Sequence, residues 1–242
     1  MPKGPSVTAG QPERTVRIAS YNLRALRDDT AAAAEVVRVV DPDVLLLQEV
    51  PRHPASSYRI SAFARDAGLM WSGRGHRLAG TSVLTGLGVM ATDVVDHPIP
   101  VPLGGNPRTY SLTRVSAPGA GTFTAVSVHL PLEAGLRLAH VQRLLHDLDE
   151  DPLTDTDLLV VGGDLNEGPD GAAWELLASR LRPVGPEGAT YPAARPQHRI
   201  DALFAGPGLR VADRGGPAPG QDRMRAASDH LPVWVDLVAP PA

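Results

Sequence analysis

The chain has 242 residues, a formal net charge of −4 and no cysteine. The missing cysteine excludes a disulfide framework, a disulfide-linked partner and a thiolate metal site. The negative charge argues against broad, non-specific affinity for nucleic acid. No run of about eighteen apolar residues occurs, and the first residues lack the apolar segment of a secretion signal. We therefore expect a cytoplasmic protein that does not insert into a membrane.

The sequence divides into a short leader and one domain. Residues 1–14 show no hydrophobic pattern and are predicted to be disordered, whereas no repeat or linker divides the predicted domain at 15–239. Apolar runs and alternation predict strands at 16–22, 44–47, 69–72, 82–85, 87–91, 94–101, 108–115, 123–129, 158–161, 199–204, 209–212 and 231–238. Helices are predicted at 31–40, 57–67, 133–148 and 171–180, and polar loops at 181–198 and 214–227.

This order of elements favours one architecture. Many short strands with about four helices do not give the strict strand–helix alternation of a doubly wound parallel sheet. We therefore predict an α+β fold, in which two mixed, mostly antiparallel β-sheets pack face to face with helices on the outside. The solid apolar run at 44–47 indicates a strand that is covered on both faces.

The stretch LLVVGGDLNE at 158–167 carries the first chemical signal. Its apolar run predicts a buried strand, two glycines end the run, and Asp164 and Asn166 follow on the turn. A carboxylate and a carboxamide on one face can hold a water and a phosphate oxygen together, as phosphate-ester hydrolysis requires. Taken alone, the same residues are also ordinary turn formers.

Other predicted strands end in the same way, on a carboxylate, an amide or an imidazole. These residues are Asn22, Glu49, His129, Asp164 with Asn166, and Asp229 with His230, joined by Asp201 inside RIDALF. In a sandwich such ends can converge at one rim, and hard oxygen ligands of this kind suit Mg²⁺ or Mn²⁺. Each residue alone also has an ordinary structural explanation, such as a solvated strand end, although a buried Asp201 needs a partner.

Six short segments carry a family resemblance. They are SYNL at 20–23, LLLQEV at 45–50, SVHL at 127–130, VGGDLN at 161–166, RIDALF at 199–204 and SDHLPV at 228–233. In this order and with these gaps, the chain resembles the endonuclease/exonuclease/phosphatase family, whose fold is the DNase I-like four-layer sandwich. The resemblance implies a Mg²⁺- or Mn²⁺-dependent enzyme that hydrolyses phosphate esters, with nucleic acid as one candidate substrate.

The resemblance also implies which residues bind the metal and activate the water. Glu49 would be the principal metal ligand. Asn22 would support the metal or the phosphate, and Asp229 would complete the metal side of the site. Asp164 would orient or deprotonate the attacking water.

The remaining matched residues would act on the phosphate. His230, oriented by Asp201, would contact the scissile phosphate and stabilise the charge of the transition state. Asn166 would hold the phosphate or the water. His129 would bind phosphate or protonate the leaving oxygen, and Arg108 lies where many relatives place a phosphate-contacting arginine.

Three differences weigh against one branch of the family. Abasic-site DNA repair endonucleases usually have an acidic or amide residue where this chain has Arg24, a tyrosine at His129 and a tryptophan at His198. The histidine of SVHL is more similar to DNase I, the sphingomyelinases and the inositol-polyphosphate phosphatases. The activity therefore stays open between a phosphodiesterase such as a nuclease, a phosphomonoesterase and a sphingomyelinase-like lipid phosphodiesterase. A non-catalytic binding module on the same fold is the alternative from another class.

Two polar loops are the candidates for specificity, at 183–198 and 214–227. The second contains Arg214, Arg223 and Arg225 just before SDHLPV. These arginines would either steer an anionic substrate or lie in a solvated loop.

Overall fold

The computed structural model describes residues 14–52, 55–73, 80–101, 107–213 and 215–240, so the predicted leader, apart from Arg14, lies outside the described residues. The strands in these ranges are β1 Thr15–Asn22, β2 Val44–Gln48, β3 Met70–Trp71, β4 Thr81–Thr85, β5 Met90–Ile99, β6 Arg108–Ser116, β7 Thr122–His129, β8 Leu159–Asp164, β9 Arg182–Pro183, β10 Asp201–Ala205, β11 Arg210–Ala212 and β12 Val233–Val238. The α-helices are α1 Thr30–Val40, α2 Ser56–Ala67, α3 Ala134–Glu150, α4 Ala172–Ala178 and α5 Gln221–Ala227. None of the helices in the described ranges is long and apolar enough to cross a membrane.

The strands form two six-stranded sheets. Their orders are β11-β12-β1-β2-β4-β3 in the first sheet and β5-β6-β7-β8-β10-β9 in the second. Strand β1 runs parallel to β2, and β7 runs parallel to β8, while the other neighbours in the described sheets run antiparallel. Each parallel pair brings the carboxyl ends of its two strands to the same edge of the sheet.

Three hydrophobic clusters separate four layers. The first cluster joins α1, α2 and α5 to the outer face of the first sheet, and the second fills the space between the two sheets. The third joins the second sheet to α3 and α4. This arrangement confirms the predicted α+β sandwich of two mixed, mostly antiparallel sheets with helices outside.

The side chains that point between the sheets become more polar toward one rim. Because successive residues of a strand face opposite sides, every second residue shares the inner face. In chain order these residues are Ile18, Ser20 and Asn22 on β1, and Ala125, Ser127 and His129 on β7. The same alternation that fills the core therefore delivers polar residues to the rim.

Buried hydrogen bonds join the two sheets just below this rim. Gln48 Nε2 on β2 donates to Ser127 Oγ on β7 at 3.0 Å, and Ser127 Oγ donates to the Leu47 carbonyl at 2.8 Å. The hydroxyls of Thr81 on β4 and Ser111 on β6 are 2.8 Å apart. Buried polar groups need partners in defined positions, whereas apolar contact has no direction. These bonds therefore fix how one sheet lies on the other.

The prediction of a polar loop at 214–227 is wrong, because its second half is helix α5. This helix buries Ala227 and leaves most of its other residues at the surface, so no apolar periodicity marks it in the sequence. The predicted loop at 181–198 likewise contains the two-residue strand β9, which pairs with β10.

The two strands predicted at 87–91 and 94–101 are instead one strand, β5. Its pairing with β6 shifts register between Thr92 and Val95, and Asp93 between them has φ of 52°. Such an irregularity leaves a residue out of the ladder without ending the strand. The interrupted alternation therefore looks like a turn in the sequence.

Gly163 on β8 allows this strand to pack closely on β7. A Cβ at this position would lie 1.9 Å from the carbonyl oxygen of Val128, a backbone atom that strand pairing holds in place. We expect Gly163→Ala to lower the free energy of unfolding by about 3 kcal/mol, because side-chain rotation cannot relieve the clash. Chemical denaturation measures this, with Gly188→Ala as the control, since a Cβ there meets no atom within 4 Å. Equal stability of the two variants would contradict the close packing.

Candidate active site

Polar side chains from both sheets meet at one rim of the sandwich. The buried amide of Asn22, at the end of β1, lies between two carboxylates. Its Nδ2 donates to Glu49 Oε1 at 3.2 Å and to Asp164 Oδ2 at 3.0 Å. Glu49 follows β2 in the first sheet, and Asp164 ends β8 in the second. The structure thus brings these three residues together across the two sheets.

Strand pairing sets the positions of two further residues around Asp164, and a third comes from a loop. His129 is its partner in the parallel β7–β8 pair, and Asp201 is its partner in the antiparallel β8–β10 pair. His129 Nε2 lies 3.5 Å from Asp164 Oδ2. His230, from the segment before β12, places its Nε2 3.8 Å from the same oxygen. Asp164 is therefore the centre of the cluster.

Several non-glycine residues at this rim have left-handed backbone conformations. The φ angles are 48° at Glu49, 52° at Asn166, and 47°, 56° and 52° at Arg24, Ala25 and Leu26. Each such residue costs on the order of 1–3 kcal/mol and persists only where its surroundings hold it. Here the Ala25 N–H donates to the Glu49 carbonyl at 2.7 Å, so the two turns support each other. Strain of this kind is typical of functional sites.

Asp201 and His230 form a buried ion pair. His230 Nδ1 donates to the two carboxylate oxygens of Asp201, at 2.9 and 3.2 Å. Burial lowers the pKa of His230. The hydrogen bond and charge of Asp201, together with the charges of the neighbouring carboxylates, outweigh this effect and raise the pKa to about 9. His230 is therefore an imidazolium at neutral pH. The Tyr191 ring packs against it, with 4.8 Å between ring centroids.

The Asp164 carboxylate is buried among donors. Its Oδ1 accepts the N–H of Asn166 at 2.9 Å, and its Oδ2 accepts the amide of Asn22. Burial and the charge of Asp201 raise the pKa of Asp164 to about 7, although His230 and these hydrogen bonds act in the opposite direction. A carboxylate with a pKa near neutral pH is suited to accept a proton from water.

His129 is held as a neutral imidazole by Arg108. Arg108 Nη1 lies 3.0 Å from His129 Nδ1, and a guanidinium can only donate, so Nδ1 accepts and Nε2 carries the proton. Burial and the charge of Arg108 hold the pKa of His129 well below its ordinary value. His129 therefore offers an N–H donor to the rim, which suits phosphate binding better than protonation of a leaving oxygen.

Two other residues predicted for the site lie at the edge of the cluster. Asn166 Nδ2 donates to the Leu130 carbonyl at 2.7 Å. Asp229 Oδ2 lies 3.3 Å from Arg24 Nε. In the described parts of the chain, the groups of three ligand atoms within 4.8 Å of one another belong to Glu49, His129 and Asp164, and to Asp164, Asp201 and His230. The structure does not bring Asp229 into either group.

The carboxylates of Glu49 and Asp164 are the part of the rim that fits a divalent cation. They lie within 4.8 Å of each other, and Mg²⁺ usually binds through one or two carboxylates and several waters. His129 does not add a ligand, because its Nε2 carries the proton. Asn22 Oδ1 accepts the Arg24 N–H at 3.0 Å, so the amide nitrogen rather than the oxygen faces the carboxylates. The metal-binding atoms at this place are therefore carboxylate oxygens.

A cleft of about 530 Å³ opens beside Glu49 and is rich in arginine. The charged and imidazole side chains among its described lining residues are Arg27, Glu49, Arg52, Arg59, Arg108 and His129. No motif marks Arg27, Arg52 or Arg59 in the sequence, because arginine is abundant along the whole chain. What the sequence does show for Arg52 is that it follows Glu49 by three residues, so it must lie near that carboxylate.

The arginines predicted as candidates for substrate steering have carboxylate partners where the structure describes them. Both lie on helix α5. Arg223 Nε is 3.1 Å from Glu35 Oε2, and Arg225 Nη1 is 3.7 Å from Asp222 Oδ1. Arg214 lies outside the described residues.

Two face-to-face sheets flanked by helices, with carboxylates and imidazoles at one rim, define a protein of the DNase I-like class. A family model described as the Endonuclease/Exonuclease/phosphatase family matches residues 19–230. The chain belongs to this family, which confirms the resemblance inferred from its motifs. No curated protein matches the sequence.

Solved structures share the fold. An endonuclease/exonuclease/phosphatase from Beutenbergia cavernae DSM 12333 is 25% identical with a TM-score of 0.67, over 93% of this chain and 72% of that chain. The mannosyl-6-phosphatase Bt3783 of Bacteroides thetaiotaomicron VPI-5482 is 17% identical with a TM-score of 0.67, over 92% of this chain and 99% of that chain. The human Nocturnin catalytic domain with bound sulfate is 18% identical with a TM-score of 0.66, over 92% and 93%. At these identities the last two show the fold alone.

The raised pKa of His230 depends on Asp201, which can be tested in the metal-free protein. Asp201→Asn removes the charge of the partner, so we expect the pKa of His230 to fall from about 9 to about 6.5 or below. An NMR titration of the imidazole in the presence of EDTA measures this, with the exposed His146 as the internal reference.

The raised pKa of His230 also determines how the stability of the protein changes with pH. Because folding raises the pKa of His230, its contribution to the free energy of unfolding is fully present below about pH 6.5 and is lost as the pH rises through about 9. A neutral His230 at pH 7 in the wild-type protein would contradict the ion pair.

Proposed function

We propose that this protein is a divalent-metal-dependent hydrolase of phosphate esters and that the rim is its active site. The observation that carries the proposal is the buried Asp164 carboxylate, with its pKa raised to about 7, beside the imidazolium of His230 and the carboxylate of Glu49. A base, a cationic donor and a place for a hard cation are what attack by water on a phosphate ester needs. Membership of the family supports the same reaction class.

In this proposal Asp164 accepts a proton from the attacking water while the new P–O bond forms. The P–O bond to the leaving group breaks, and the leaving oxygen takes its proton from solvent. His230 donates its Nε2–H to a phosphate oxygen as negative charge develops there. Asp201 acts through His230 by keeping it charged and oriented, and is a positioning residue. Because both groups are buried before substrate binds, little reorganisation is needed during the reaction.

A neutral imidazole and a guanidinium complete the phosphate site. His129 offers Nε2–H and Arg108 offers its guanidinium, and the two are already joined at 3.0 Å. Asn166 lies two residues after Asp164 and is a further candidate contact for phosphate or water. When bound at Glu49, Mg²⁺ or Mn²⁺ would supply positive charge that polarises the phosphate and activates water.

Two structural relatives are consistent with a phosphate-ester substrate. One is named a mannosyl-6-phosphatase, and Nocturnin was solved with sulfate, an anion of the same shape as phosphate. The substrate panel therefore contains a chromogenic phosphodiester, a phosphomonoester, single- and double-stranded DNA, RNA and sphingomyelin. Metal-dependent thermal stabilisation without turnover of any of them would favour the non-catalytic binding module.

We expect Asp164→Asn and His230→Gln each to lower kcat for bis(p-nitrophenyl) phosphate by at least about 100-fold, because each removes a proton-transferring or charge-stabilising group. Steady-state kinetics with Mg²⁺ measures this, and circular dichroism checks the fold. The matched controls are Asp149→Asn and His146→Gln, two exposed residues of α3, and both should keep wild-type rates. Full activity of either active-site variant would refute the assigned roles.

We expect EDTA to abolish hydrolysis and added Mg²⁺ or Mn²⁺ to restore it, since the carboxylate pair fits a hard cation. Glu49→Gln should raise the metal concentration for half-maximal activity by at least about tenfold. Glu175→Gln, an exposed carboxylate on α4, serves as the control. Hydrolysis that persists after exhaustive chelation would remove the metal from the proposal.

A further inference from the structure

The cleft beside Glu49 carries more positive charge than one phosphate group requires. Its arginines are Arg27, Arg52, Arg59 and Arg108, and Glu49 is the one carboxylate among its described lining residues. Arg108 already belongs to the phosphate site through its contact with the imidazole of the rim. The other three arginines have no function in the reaction proposed above.

The side chain of Arg52 is held in this cleft by contacts with the protein. Its Nη1 donates to the carbonyl of Pro107 at 3.0 Å, which holds the guanidinium. Gly80 leaves the space for it, because a Cβ there would lie 1.9 Å from Arg52 Nη2. In the described part of the chain, no carboxylate forms a salt bridge with Arg52.

Arg52 and Arg108 are two cations of the cleft that lie close enough to affect each other. Burial lowers the pKa of both Arg52 and Arg108, and the charge of Arg52 lowers the pKa of Arg108 further. Glu49 acts in the opposite direction on both pKa values, and Asp164 does so on that of Arg108, but burial is the larger effect. Partly buried cations that repel each other are stabilised when an anion binds between them.

The remaining two arginines come from helix α2 and from the turn after β1. Arg59 on α2 donates to the carbonyls of Ala25 and Leu26, which fastens its guanidinium to that turn. Arg27 follows the turn and is exposed. The left-handed turn is therefore also what presents these two cations to the cleft.

We infer that Arg27, Arg52 and Arg59 form a second anion subsite, which receives a phosphate of the substrate other than the one that is hydrolysed. The substrate is then a compact small molecule with at least two phosphate groups. This inference rests on the proposed function, because it places the scissile phosphate at Asp164 and His230.

The dimensions of the cleft favour a small molecule over a nucleic-acid strand. Its volume of about 530 Å³ lies within the range of roughly 300–1,000 Å³ for small-molecule sites. Arg52 follows Glu49 by three residues, so their Cα atoms are at most ~11 Å apart. A single strand is usually bound along a groove by aromatic stacking. No Phe, Tyr or Trp is among the described lining residues, and Val50 and Pro51 supply the apolar surface instead.

The test compares matched ligands that differ by one phosphate. Glucose 1,6-bisphosphate and glucose 6-phosphate are titrated into the full chain in metal-free buffer by calorimetry, and both are used as competitors of bis(p-nitrophenyl) phosphate hydrolysis with Mg²⁺. We expect the bisphosphate to bind at least about tenfold more tightly, since charge-assisted hydrogen bonds to a second phosphate add to the first. A ten-nucleotide single strand of DNA is the third ligand.

The variants are Arg52→Gln and Arg27→Gln, with Arg65→Gln as the matched control on the exposed face of α2. Arg52→Gln should bring the ratio of the two affinities close to one, Arg27→Gln should lower it, and Arg65→Gln should leave the ratio as it is. Gly80→Ala should act like a weaker Arg52→Gln, because it displaces the guanidinium without removing its charge.

Each outcome decides for or against the subsite. Equal affinity for the two sugar phosphates in the wild-type protein would overturn it, as would a ratio that Arg52→Gln and Arg27→Gln both leave intact. Tighter binding of the oligonucleotide than of the bisphosphate would overturn the small-molecule class in favour of nucleic acid. Tighter binding of the bisphosphate without turnover of any phosphate ester would support the subsite and contradict the proposed hydrolase function.

Discussion

The rest of this rim depends on one buried carboxylate, that of Asp164, which lies where the two sheets meet. Burying the charge of Asp164 is costly unless donors surround it. Asn22 supplies a donor from the first sheet, the Asn166 N–H supplies one from the turn, and His230 supplies a positive charge. This compensation is incomplete, so the pKa of Asp164 lies near neutral pH instead of far below it. The incomplete compensation of this charge costs stability, and it also leaves the Asp164 carboxylate able to take up a proton.

The fold and much of the rim could be predicted because strand periodicity and strand ends are local properties of the sequence. Asn22, His129 and Asp164 are each the last residue of a strand whose inner face is otherwise apolar or small. A two-residue period therefore places all three on the side that faces the other sheet. The pairing of Asp201 with His230 also follows from chemistry, since a carboxylate inside an apolar strand needs a buried partner.

What the sequence did not reveal depends on contacts between distant segments or on backbone conformation. The left-handed φ of Glu49 has no local signature, because glutamate is not a residue that favours it. Asp229 resembles a metal ligand by its motif, but its pairing with Arg24 depends on how two distant turns approach each other. The three arginines of the cleft lie on separate elements and become a group only in the folded chain. Helix α5 was missed because it buries too little to show a period.

The hydrogen bonds of Gln48 and Ser127 have a further consequence. They lie one step below a rim whose groups come half from each sheet. Removing one partner of a buried hydrogen bond is destabilising, so a chain that lost these bonds would be less stable and would also lose the contacts that set the position of one sheet on the other. A serine and a glutamine outside the cluster of carboxylates and imidazoles therefore help to set the geometry of the whole rim.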